Sequence, residues 1–518
     1  MEFISVLNDV LGPVMRGPSS SHTAGSHHIG RLVRSLLGEE AAAAVFTFDP
    51  DGSYARTYRQ QGVDLALAAG LLGWPITDVR FARSLALAPK QGLRLSFRVA
   101  RLGRPDHPNT VRVELLSRTG RKLAATAKSV GGGMVLVTEL DGWPVRLDGK
   151  SHEVMALVRK RSAHAVEAVL SSDDGSAAKP VRAEKDGEVF FSVKRSDPLS
   201  AGSRARLGRV EGVLRTWTAP PIFHVRRGDA LFSSGAEMVR LARRRRCSLG
   251  RTALASEAGL LGIPEKAVLS EILDRYGVMK DSVQQGLAGR GIGMKLLKPT
   301  AGKIFRTEAG GRLPVGGLHA RAAARAMAAL HVSNSGGIVC AAPTGGSAGV
   351  LPGVMVTLAE EKGLKGERLA LALLAASAVG LVVARRATFA AEVAGCQVEI
   401  GAAGAMAAAA VVEASGGSAG RAADAAAVAL QNTMGSVCDL VQGMCEIPCH
   451  TRNAVAASNA FVCADLVLGG YENPIPLDET VDAAYASGKM LPAELRCTAL
   501  GGLAVAPSAL ALKPRSSL

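Results

Sequence analysis

Cysteine is the residue type in this sequence whose distribution most clearly indicates chemistry. The chain has eight cysteines among 518 residues, and seven of them follow residue 339. Structural disulfides are not expected in a large chain whose N-terminus, Met1 to Ser5, lacks a basic region followed by an apolar one. We therefore expect free thiols, a cytoplasmic location, and thiolate chemistry in the C-terminal part of the chain.

Three of the cysteines lie in distinctive local sequences. These are Gly395-Cys396-Gln397-Val398-Glu399, Ser436-Val437-Cys438-Asp439 and Pro448-Cys449-His450-Thr451-Arg452-Asn453. Thiolates are soft ligands that select iron–sulfur clusters, zinc or copper(I). Separations of 42 and 11 residues match neither a zinc ribbon nor a ferredoxin run. Spacing alone therefore leaves metal ligation and burial as ordinary free thiols equally open.

Two further segments combine hydroxyl or imidazole side chains with glycine. The first, residues 17–25, reads Gly-Pro-Ser-Ser-Ser-His-Thr-Ala-Gly, and the second, residues 341–349, reads Ala-Ala-Pro-Thr-Gly-Gly-Ser-Ala-Gly. Three hydroxyls and an imidazole beside the N–H groups of a helix start suit a carboxylate ligand. The alternatives are an ordinary serine helix cap for the first segment and a glycine-rich turn between helices for the second.

Together these segments resemble the motifs of the iron–sulfur-dependent L-serine dehydratases, or L-serine ammonia-lyases. The resemblance covers nearly the whole chain, as a β-type half followed by an α-type half that many relatives carry as separate subunits. It implies a lyase that converts L-serine to pyruvate and ammonia, with a [4Fe–4S] cluster as Lewis acid and no pyridoxal phosphate. The implied cluster ligands are Cys396, Cys438 and Cys449. The implied substrate-binding residues are Ser19, Ser20, Ser21, Thr23, Asp64, Thr344, Gly345, Arg452 and Asn453, the last two orienting substrate or cluster.

The base that removes the substrate's α-proton is where the sequence departs from the family pattern. Gln61 stands where relatives have a histidine, and an amide cannot take up a proton at neutral pH. We predict His22 as the catalytic base; the alternative is that His22 only hydrogen-bonds the substrate carboxylate. Some relatives also end in a cysteine that caps the open iron, whereas this sequence ends in Ser-Ser-Leu. Cys445 has no place in the pattern and is interpreted as structural.

These departures keep two other functions under consideration. One is an iron–sulfur lyase of the same family that acts on a different β-substituted amino acid, which the loss of the histidine at position 61 motivates. The other is a non-catalytic regulatory relative, for which the net charge of +16 is the only support. A protein without the chemistry would have no need of all three cysteine motifs.

The elements that must position these residues predict an α+β multidomain protein. Residues 1–148 are expected to form an N-terminal α/β domain, residues 149–218 a ferredoxin-like, ACT-like middle unit, and residues 222–518 an all-α C-terminal catalytic domain. Period-two alternation predicts strands, and continuous apolar stretches predict buried helices. The predicted strands are 45–48, 93–99, 111–116, 135–137, 145–147, 152–158, 180–184, 188–193 and 213–218. The predicted helices are 64–72, 163–170, 201–207, 354–361, 367–386, 402–415 and 422–434.

Composition excludes several classes of partner. Aromatic residues are only 4% of the chain, which argues against base stacking and a nucleic-acid partner despite the basic balance. The densest basic run, residues 243–246, is interpreted as a solvated helix end. The longest apolar stretch, 369–384, is too short and too interrupted to cross a membrane and predicts a buried helix. We expect a small amino-acid substrate as the ligand and a possible homodimer.

Overall fold

The computed structural model describes residues 3–103, 105–171 and 178–515. Within these ranges the chain is a mixed α and β protein, with three sheets and a large helical part. This agrees with an α+β multidomain protein. The boundaries of its domains stay predictions.

The N-terminal part is built around a six-stranded sheet. The strands of this sheet are β2 (Ala41–Phe48), β3 (Arg94–Val99), β4 (Thr110–Ser117), β5 (Lys122–Gly131), β6 (Met134–Leu140) and β7 (Trp143–Leu147). A further short strand, β1 (Val14–Arg16), lies outside it, and the helices of this part are α1 (Gly25–Leu37), α2 (Ser53–Thr57), α3 (Val63–Leu71) and α4 (Ser84–Leu87). The order is β3-β2-β4-β5-β6-β7, with β2 and β3 parallel and the other pairs antiparallel. In β4, Val111, Val113 and Leu115 are buried while Arg112 and Glu114 are exposed, so one face of the sheet packs on α1.

The middle part is a four-stranded antiparallel sheet with two helices. Its elements are β8 (His152–Arg159), α5 (Ala163–Ser171), β9 (Val181–Lys185), β10 (Glu188–Arg195), α6 (Ala201–Arg209) and β11 (Val213–Ala219). The β-α-β-β-α-β succession and the strand order β11-β8-β10-β9 are those of a ferredoxin-like fold. The sheet packs on the N-terminal part through aromatic contacts, including Phe190 stacked 5.6 Å from Trp143.

The C-terminal part consists of helices with one short strand. The helices are α7 (Gly235–Arg245), α8 (Leu249–Leu261), α9 (Glu265–Ala288), α10 (Ala301–Ala309), α11 (Leu318–Asn334), α12 (Val350–Lys362), α13 (Gly366–Arg386), α14 (Ala391–Ala394), α15 (Ile400–Ala414), α16 (Ala419–Gln431), α17 (Cys449–Leu468), α18 (Leu477–Lys489) and α19 (Pro507–Ala511). The strand, β12 (Ile338–Cys340), pairs antiparallel with β1. The sequence predicts that this part is all-α. The three residues of β12 are an exception, because they form a strand with β1 from the N-terminal part.

Helix α15 lies at the centre of the helical part. Every residue from Ile400 to Val412 is buried, and the helix packs against α12, α13, α16 and α17. An apolar residue set on all faces is typical of such a central helix. Glycine permits the closest approaches between helices. A Cβ at Gly286 of α9, for example, would meet the carbonyl oxygen of Ala328 in α11 at 1.9 Å.

Two helical segments, Gly366–Arg386 and Cys396–Ala414, are long and apolar enough to cross a membrane by length and composition. In the fold, 72% and 89% of their apolar windows are buried inside the protein. Both are core helices of the C-terminal part, which confirms the buried helix predicted at 369–384. The basic run at 243–246 is exposed at the end of α7, as predicted.

The first residues of the chain are packed into the helical part. Val6, Leu7, Val10 and Leu11 belong to its hydrophobic core. The buried Glu257 of α8 accepts hydrogen bonds from the hydroxyl of Ser5 and from the backbone N–H groups that follow it, at 2.6 to 3.0 Å. This anchoring, with the β1–β12 pair, brings the serine-rich segment that follows against the C-terminal part.

Candidate active site

The serine-rich segment forms a buried helical turn at the start of α1. Residues 20–24 are a single wide helical turn, and the Ser19 hydroxyl caps it by accepting from the backbone N–H of His22 at 3.1 Å. Residues 19–24 are all buried. The glycine-rich segment packs directly on this turn, since a Cβ at Gly345 would meet the backbone nitrogen of Ser20 at 2.7 Å. The two motifs, more than 300 residues apart in sequence, are thus in contact.

His22 is fully buried between two polar side chains. Its Nδ1 lies 3.2 Å from Oε1 of Glu392, and its Nε2 lies 3.1 Å from the hydroxyl of Ser53. The ring of Tyr54 packs edge-on at 5.2 Å between centroids. A carboxylate at one ring nitrogen and a hydroxyl at the other fix the orientation of the imidazole.

Glu392 was not singled out by sequence reasoning, which identified no motif around it. Its Oε1 accepts a 2.5 Å hydrogen bond from the Ser21 hydroxyl in addition to its contact with His22. Burial raises the pKa of Glu392, but the hydrogen bond and charge of His22, with the Ser21 hydroxyl, outweigh burial and lower this pKa to about 2. The carboxylate is therefore ionised at neutral pH.

Five of the eight thiols gather next to this turn. The Cys396 and Cys438 sulfurs and a Glu399 carboxylate oxygen lie within 4.8 Å of one another and could together hold a metal ion. The Cys438 thiol also contacts that of Cys497, and the hydrogen bonds that it donates to the Cys396 and Cys497 sulfurs, with burial, raise its pKa well above the ordinary value. The Cys445 thiol contacts that of Cys449, and this contact and burial raise its pKa in the same way.

Cys497 is the cysteine that sequence reasoning did not place in the site. The segment around it runs beside the Cys438 segment, with the Cys497 N–H donating to the Cys438 carbonyl at 2.9 Å. Its own carbonyl accepts a 3.0 Å hydrogen bond from the Ser53 hydroxyl, the same hydroxyl that contacts His22. The thiols and the histidine are therefore joined through a single serine.

Helix α17 begins at Cys449 and carries two of the predicted site residues. Arg452 contacts the Cys396 sulfur at 3.7 Å, the Val437 carbonyl at 2.6 Å and the Asp439 carboxylate at 3.0 Å. Burial lowers the pKa of Arg452, but the nearby Cys396 and Asp439 raise it by more. The guanidinium is thus a fixed positive charge beside the thiols.

Asn453 ties the glycine-rich segment to α17. Its amide donates to the carbonyls of Gly346 and Cys449 at 2.9 and 2.8 Å, and its oxygen accepts from the Gly349 N–H at 3.2 Å. All of these contacts are to backbone groups. In this structure Asn453 therefore positions a segment of the site.

Glu399 lies between the thiols and the glycine-rich segment. The Thr344 hydroxyl donates to its Oε1 at 2.5 Å. Burial raises the pKa of Glu399 to about 7, and the negative charge of Glu392 acts in the same direction. The site therefore holds one carboxylate that is always ionised and one that can exchange a proton near neutral pH.

Gln61 and Asp64 lie in the loop before α3 and in its first turn. The Gln61 carbonyl accepts from the Thr23 hydroxyl at 2.8 Å, and its side-chain amide donates to the Gly443 carbonyl at 3.3 Å. Asp64 accepts from the N–H of Leu65 at 2.8 Å, and burial raises its pKa. Thr23 therefore joins Gln61 to the serine-rich turn, whereas Asp64 serves the start of its own helix.

A second histidine, His107, also lies close to this group. Burial lowers its pKa, while the charge of Glu392 raises it. Its segment, Asp106-His107-Pro108-Asn109-Thr110, is similar to the family pattern, but sequence reasoning gave it no role.

Comparison with known proteins identifies the group of enzymes to which this arrangement belongs. The family described as "Serine dehydratase alpha chain" matches residues 150–504. The chain belongs to this family. It is 35% identical over 285 residues to the probable L-serine dehydratase alpha chain of Bacillus subtilis (strain 168). The matched region covers 55% of this chain and 95% of that one.

Other relatives of the serine dehydratase family match further parts of the chain. The probable L-serine dehydratase beta chain of the same organism is 40% identical over 157 residues, covering 30% of this chain and 69% of that one. L-serine dehydratase TdcG of Escherichia coli (strain K12) is 27% identical over 512 residues, 94% of this chain and 96% of that one. This serine dehydratase family member therefore combines in one chain sequence similar to both the alpha and the beta chains.

Proposed function

We propose that this protein is an L-serine ammonia-lyase that converts L-serine to pyruvate and ammonia. The observation that carries the proposal is the junction of five buried thiols with the His22 and Glu392 pair through Ser53. Such a junction sets a soft-metal site beside an acid–base pair, which is what a metal-assisted elimination of water requires. Membership of the serine dehydratase family agrees with this chemistry.

The donor set fits a [4Fe–4S] cluster held by Cys396, Cys438 and Cys449. The three thiols are buried and free, and the Cys396 and Cys438 sulfurs lie within 4.8 Å of each other, so a bound cation would be needed to stabilise the thiols together as thiolates. Arg452 supplies an additional positive charge next to Cys396. When bound, the cluster would supply a Lewis-acidic iron for the β-hydroxyl of the substrate.

His22 is the base in this proposal. If its Nδ1–H donates to the ionised Glu392, the lone pair lies on Nε2. Nε2 can accept the α-proton once the Ser53 hydroxyl, which lies 3.1 Å away and donates to the Cys497 carbonyl, moves aside for the substrate. The hydroxyls of Ser19, Ser20, Ser21, Thr23 and Thr344 and the backbone at Gly345 would bind the polar groups of the substrate. Loss of the α-proton and of the β-hydroxyl as water gives an enamine, which becomes an imine and hydrolyses to pyruvate and ammonia.

Gln61 supports a second candidate, a lyase of the same family with another β-substituted amino acid as substrate. Its side chain is buried, and the Oε1 atom has no hydrogen-bond partner among the described residues. A neutral amide that offers a free acceptor would favour a substrate with a donor at that position. Weak turnover of L-serine by an iron-loaded protein would favour this candidate.

The test is purification without oxygen, followed by measurement of iron, sulfide and the visible spectrum, and of ammonia and 2-oxo acid released from L-serine and L-threonine. We expect a coloured protein that releases pyruvate from L-serine. A colourless protein without iron would contradict both candidates together. Full turnover of L-serine would remove the second one.

A further inference from the structure

The two carboxylate oxygens of Glu392 differ in their surroundings. Oε1 accepts from Ser21 and contacts His22, at 2.5 and 3.2 Å. Oε2 is buried and has no hydrogen-bond partner among the described residues. Because buried polar atoms are nearly always hydrogen-bonded, this oxygen is a candidate for contact with a ligand.

The missing partner of Oε2 must be a donor, and a charged donor suits it best. Burial alone would favour a neutral carboxyl, yet the contacts of Glu392 with His22 and Ser21 lower its pKa to about 2, so the group is an anion. Hydrogen bonds between an ionised acceptor and a cationic donor are the strongest available to it.

The negative charge of Glu392 acts on its neighbours, which also favours a cationic partner. Its charge raises the pKa of both Glu399 and Cys497. Arg452, the arginine beside the thiols, is engaged with Cys396, the Val437 carbonyl and Asp439, and Arg496 donates to the Val393 carbonyl at 3.3 Å. A small cation with N–H donors that comes from outside the chain would therefore complete the site.

We propose that Oε2 of Glu392 binds the α-ammonium group of the amino-acid substrate and thereby selects amino acids over 2-hydroxy acids of the same shape. The inference rests on the proposed function, since it assigns a subsite for that substrate. The same carboxylate contacts His22 through Oε1. Binding of the ammonium group there brings the neighbouring α-carbon toward the imidazole.

The experiment compares two unreactive ligands on the anaerobically prepared holoenzyme, L-alanine and L-lactate. They differ only in carrying an ammonium or a hydroxyl group on the α-carbon, and neither has a β-leaving group. Their inhibition constants against L-serine turnover are measured for the wild type and for Glu257→Gln, a control in a buried carboxylate that binds the N-terminal segment. Their dissociation constants are measured by calorimetry, which needs no turnover, for both of these proteins and for Glu392→Gln. We expect the wild type and the control to bind L-alanine about tenfold or more tightly than L-lactate.

In Glu392→Gln the preference for L-alanine over L-lactate should fall to about threefold or less, because the ammonium group of L-alanine loses an ion pair that the neutral hydroxyl of L-lactate never forms. Iron content is measured in parallel and should be unchanged. If Glu392→Gln loses turnover but keeps the full preference for L-alanine over L-lactate, the inference is overturned. Glu392 would then only position His22. Should the wild type fail to turn over L-serine, the comparison of the same two ligands rests on calorimetry alone. A preference that depends on Glu392 would then uphold the subsite while the proposed reaction fails.

Discussion

Two carboxylates of the site differ in their ionisation at neutral pH. Glu392 contacts a histidine and a serine hydroxyl, which hold its pKa at about 2. Glu399 accepts a hydrogen bond from a threonine hydroxyl, but burial and the repulsion of Glu392 raise its pKa to about 7. Separation of pKa values between neighbouring groups is how active sites assign permanent charge to one residue and proton exchange to another. The pair therefore provides a fixed anion and a titratable acid within one site.

His22→Gln should lower kcat for L-serine by about 10²- to 10⁴-fold, because it removes the base while keeping a side chain of similar size. Iron content should be unchanged, since His22 contacts hydroxyls and Glu392 rather than thiols. The matched control is His164→Gln, a histidine exposed on α5. A variant that retains more than a tenth of wild-type kcat would show that another group removes the proton.

Cys438→Ser should lose most of the bound iron and all measurable ammonia release, because a hydroxyl is a poor ligand for iron–sulfur clusters. Cys463→Ser is the control, since Cys463 is buried in α17 and contacts Asn459 and Asn432. Iron and acid-labile sulfide are measured after anaerobic purification. Full iron in Cys438→Ser would mean that a different set of thiols, with Cys497 or Cys445, holds the cluster.

The contact between the serine-rich turn and the glycine-rich segment depends on a glycine side by side with backbone atoms. The serine-rich turn and the glycine-rich segment meet at Gly345, where a Cβ would lie 2.7 Å from the Ser20 nitrogen and 3.1 Å from the Pro18 carbonyl oxygen. Both neighbours are backbone atoms, which cannot rotate away as a side chain can. The geometry of the site therefore depends on this contact between two elements.

Gly345→Ala should lower kcat at least about tenfold and destabilise the fold by about 1–3 kcal/mol through overpacking. Gly277→Ala is the control in helix α9, where a Cβ would meet no atom within 4 Å. That variant should keep full activity and unfold at the same or a slightly higher temperature. Equal behaviour of the two variants in thermal unfolding and turnover would contradict the tight contact.

The ferredoxin-like part carries a buried acid that makes its stability depend on pH. Burial raises the pKa of Glu153, in β8, to about 7, and one of its oxygens has no hydrogen-bond partner among the described residues. The folded chain therefore binds this proton up to a higher pH than the unfolded chain, whose ordinary value is 4.5. The free energy of unfolding should fall by up to about 3 kcal/mol as pH rises from about 4.5 to 7.

Glu153→Gln should remove this contribution, because the amide does not titrate. The unfolding temperature of Glu153→Gln, relative to that of the wild type, should be higher at pH 8 than at pH 5.5. Glu139→Gln, at an exposed position of β6, should follow the wild type at both pH values. A constant difference between Glu153→Gln and the wild type across this range would show that Glu153 does not titrate there.

Elements were largely predictable from the sequence, because alternation and long apolar stretches are local signals. The helix predicted at 367–386 is α13, and the β-α-β-β-α-β succession is confirmed. Strand β5 gave no such signal, since alanine, lysine and threonine alternate there with little contrast in hydropathy. Strand β12 is three residues long and exists only because β1 pairs with it.

Site residues were predictable only where a motif marks them. The three predicted cysteines, His22 and Thr344 lie in such motifs, whereas Glu392 and Cys497 join the site through contacts across hundreds of residues. Nothing in the local sequence reports such contacts. Cys497, which lies in no such motif, brings a further thiol into contact with Cys438.

At the scale of the whole molecule, the site is assembled from both ends of the chain. The first residues are embedded in the helical core, β1 pairs with β12, and Ser53 joins His22 to Cys497. The ferredoxin-like part lies between these regions in sequence and packs on the N-terminal sheet. The N-terminal and C-terminal parts therefore pack together around the candidate site.

A chain divided at residues 220–221, between β11 and α7, should reassemble when its two pieces are produced together, because the contacts between them are extensive and buried. We expect an affinity tag on one piece to retain the other and to retain ammonia release. Glu257→Ala, which removes the acceptor for Ser5, Val6 and Leu7, should weaken this retention. Separate elution of the two unmodified pieces would contradict a unit held together by these contacts.

The contact between Ser53 and Cys497 also imposes an order on biosynthesis. A ribosome that adds about 5–20 residues per second needs about half a minute to a minute and a half between His22 and Cys497. During that interval His22 and Ser53 can meet, since both are made early, but Ser53 has no Cys497 carbonyl to contact. The junction between the histidine and the thiols is therefore completed only near the end of translation, so a translation product that stops before Cys497 would lack this junction.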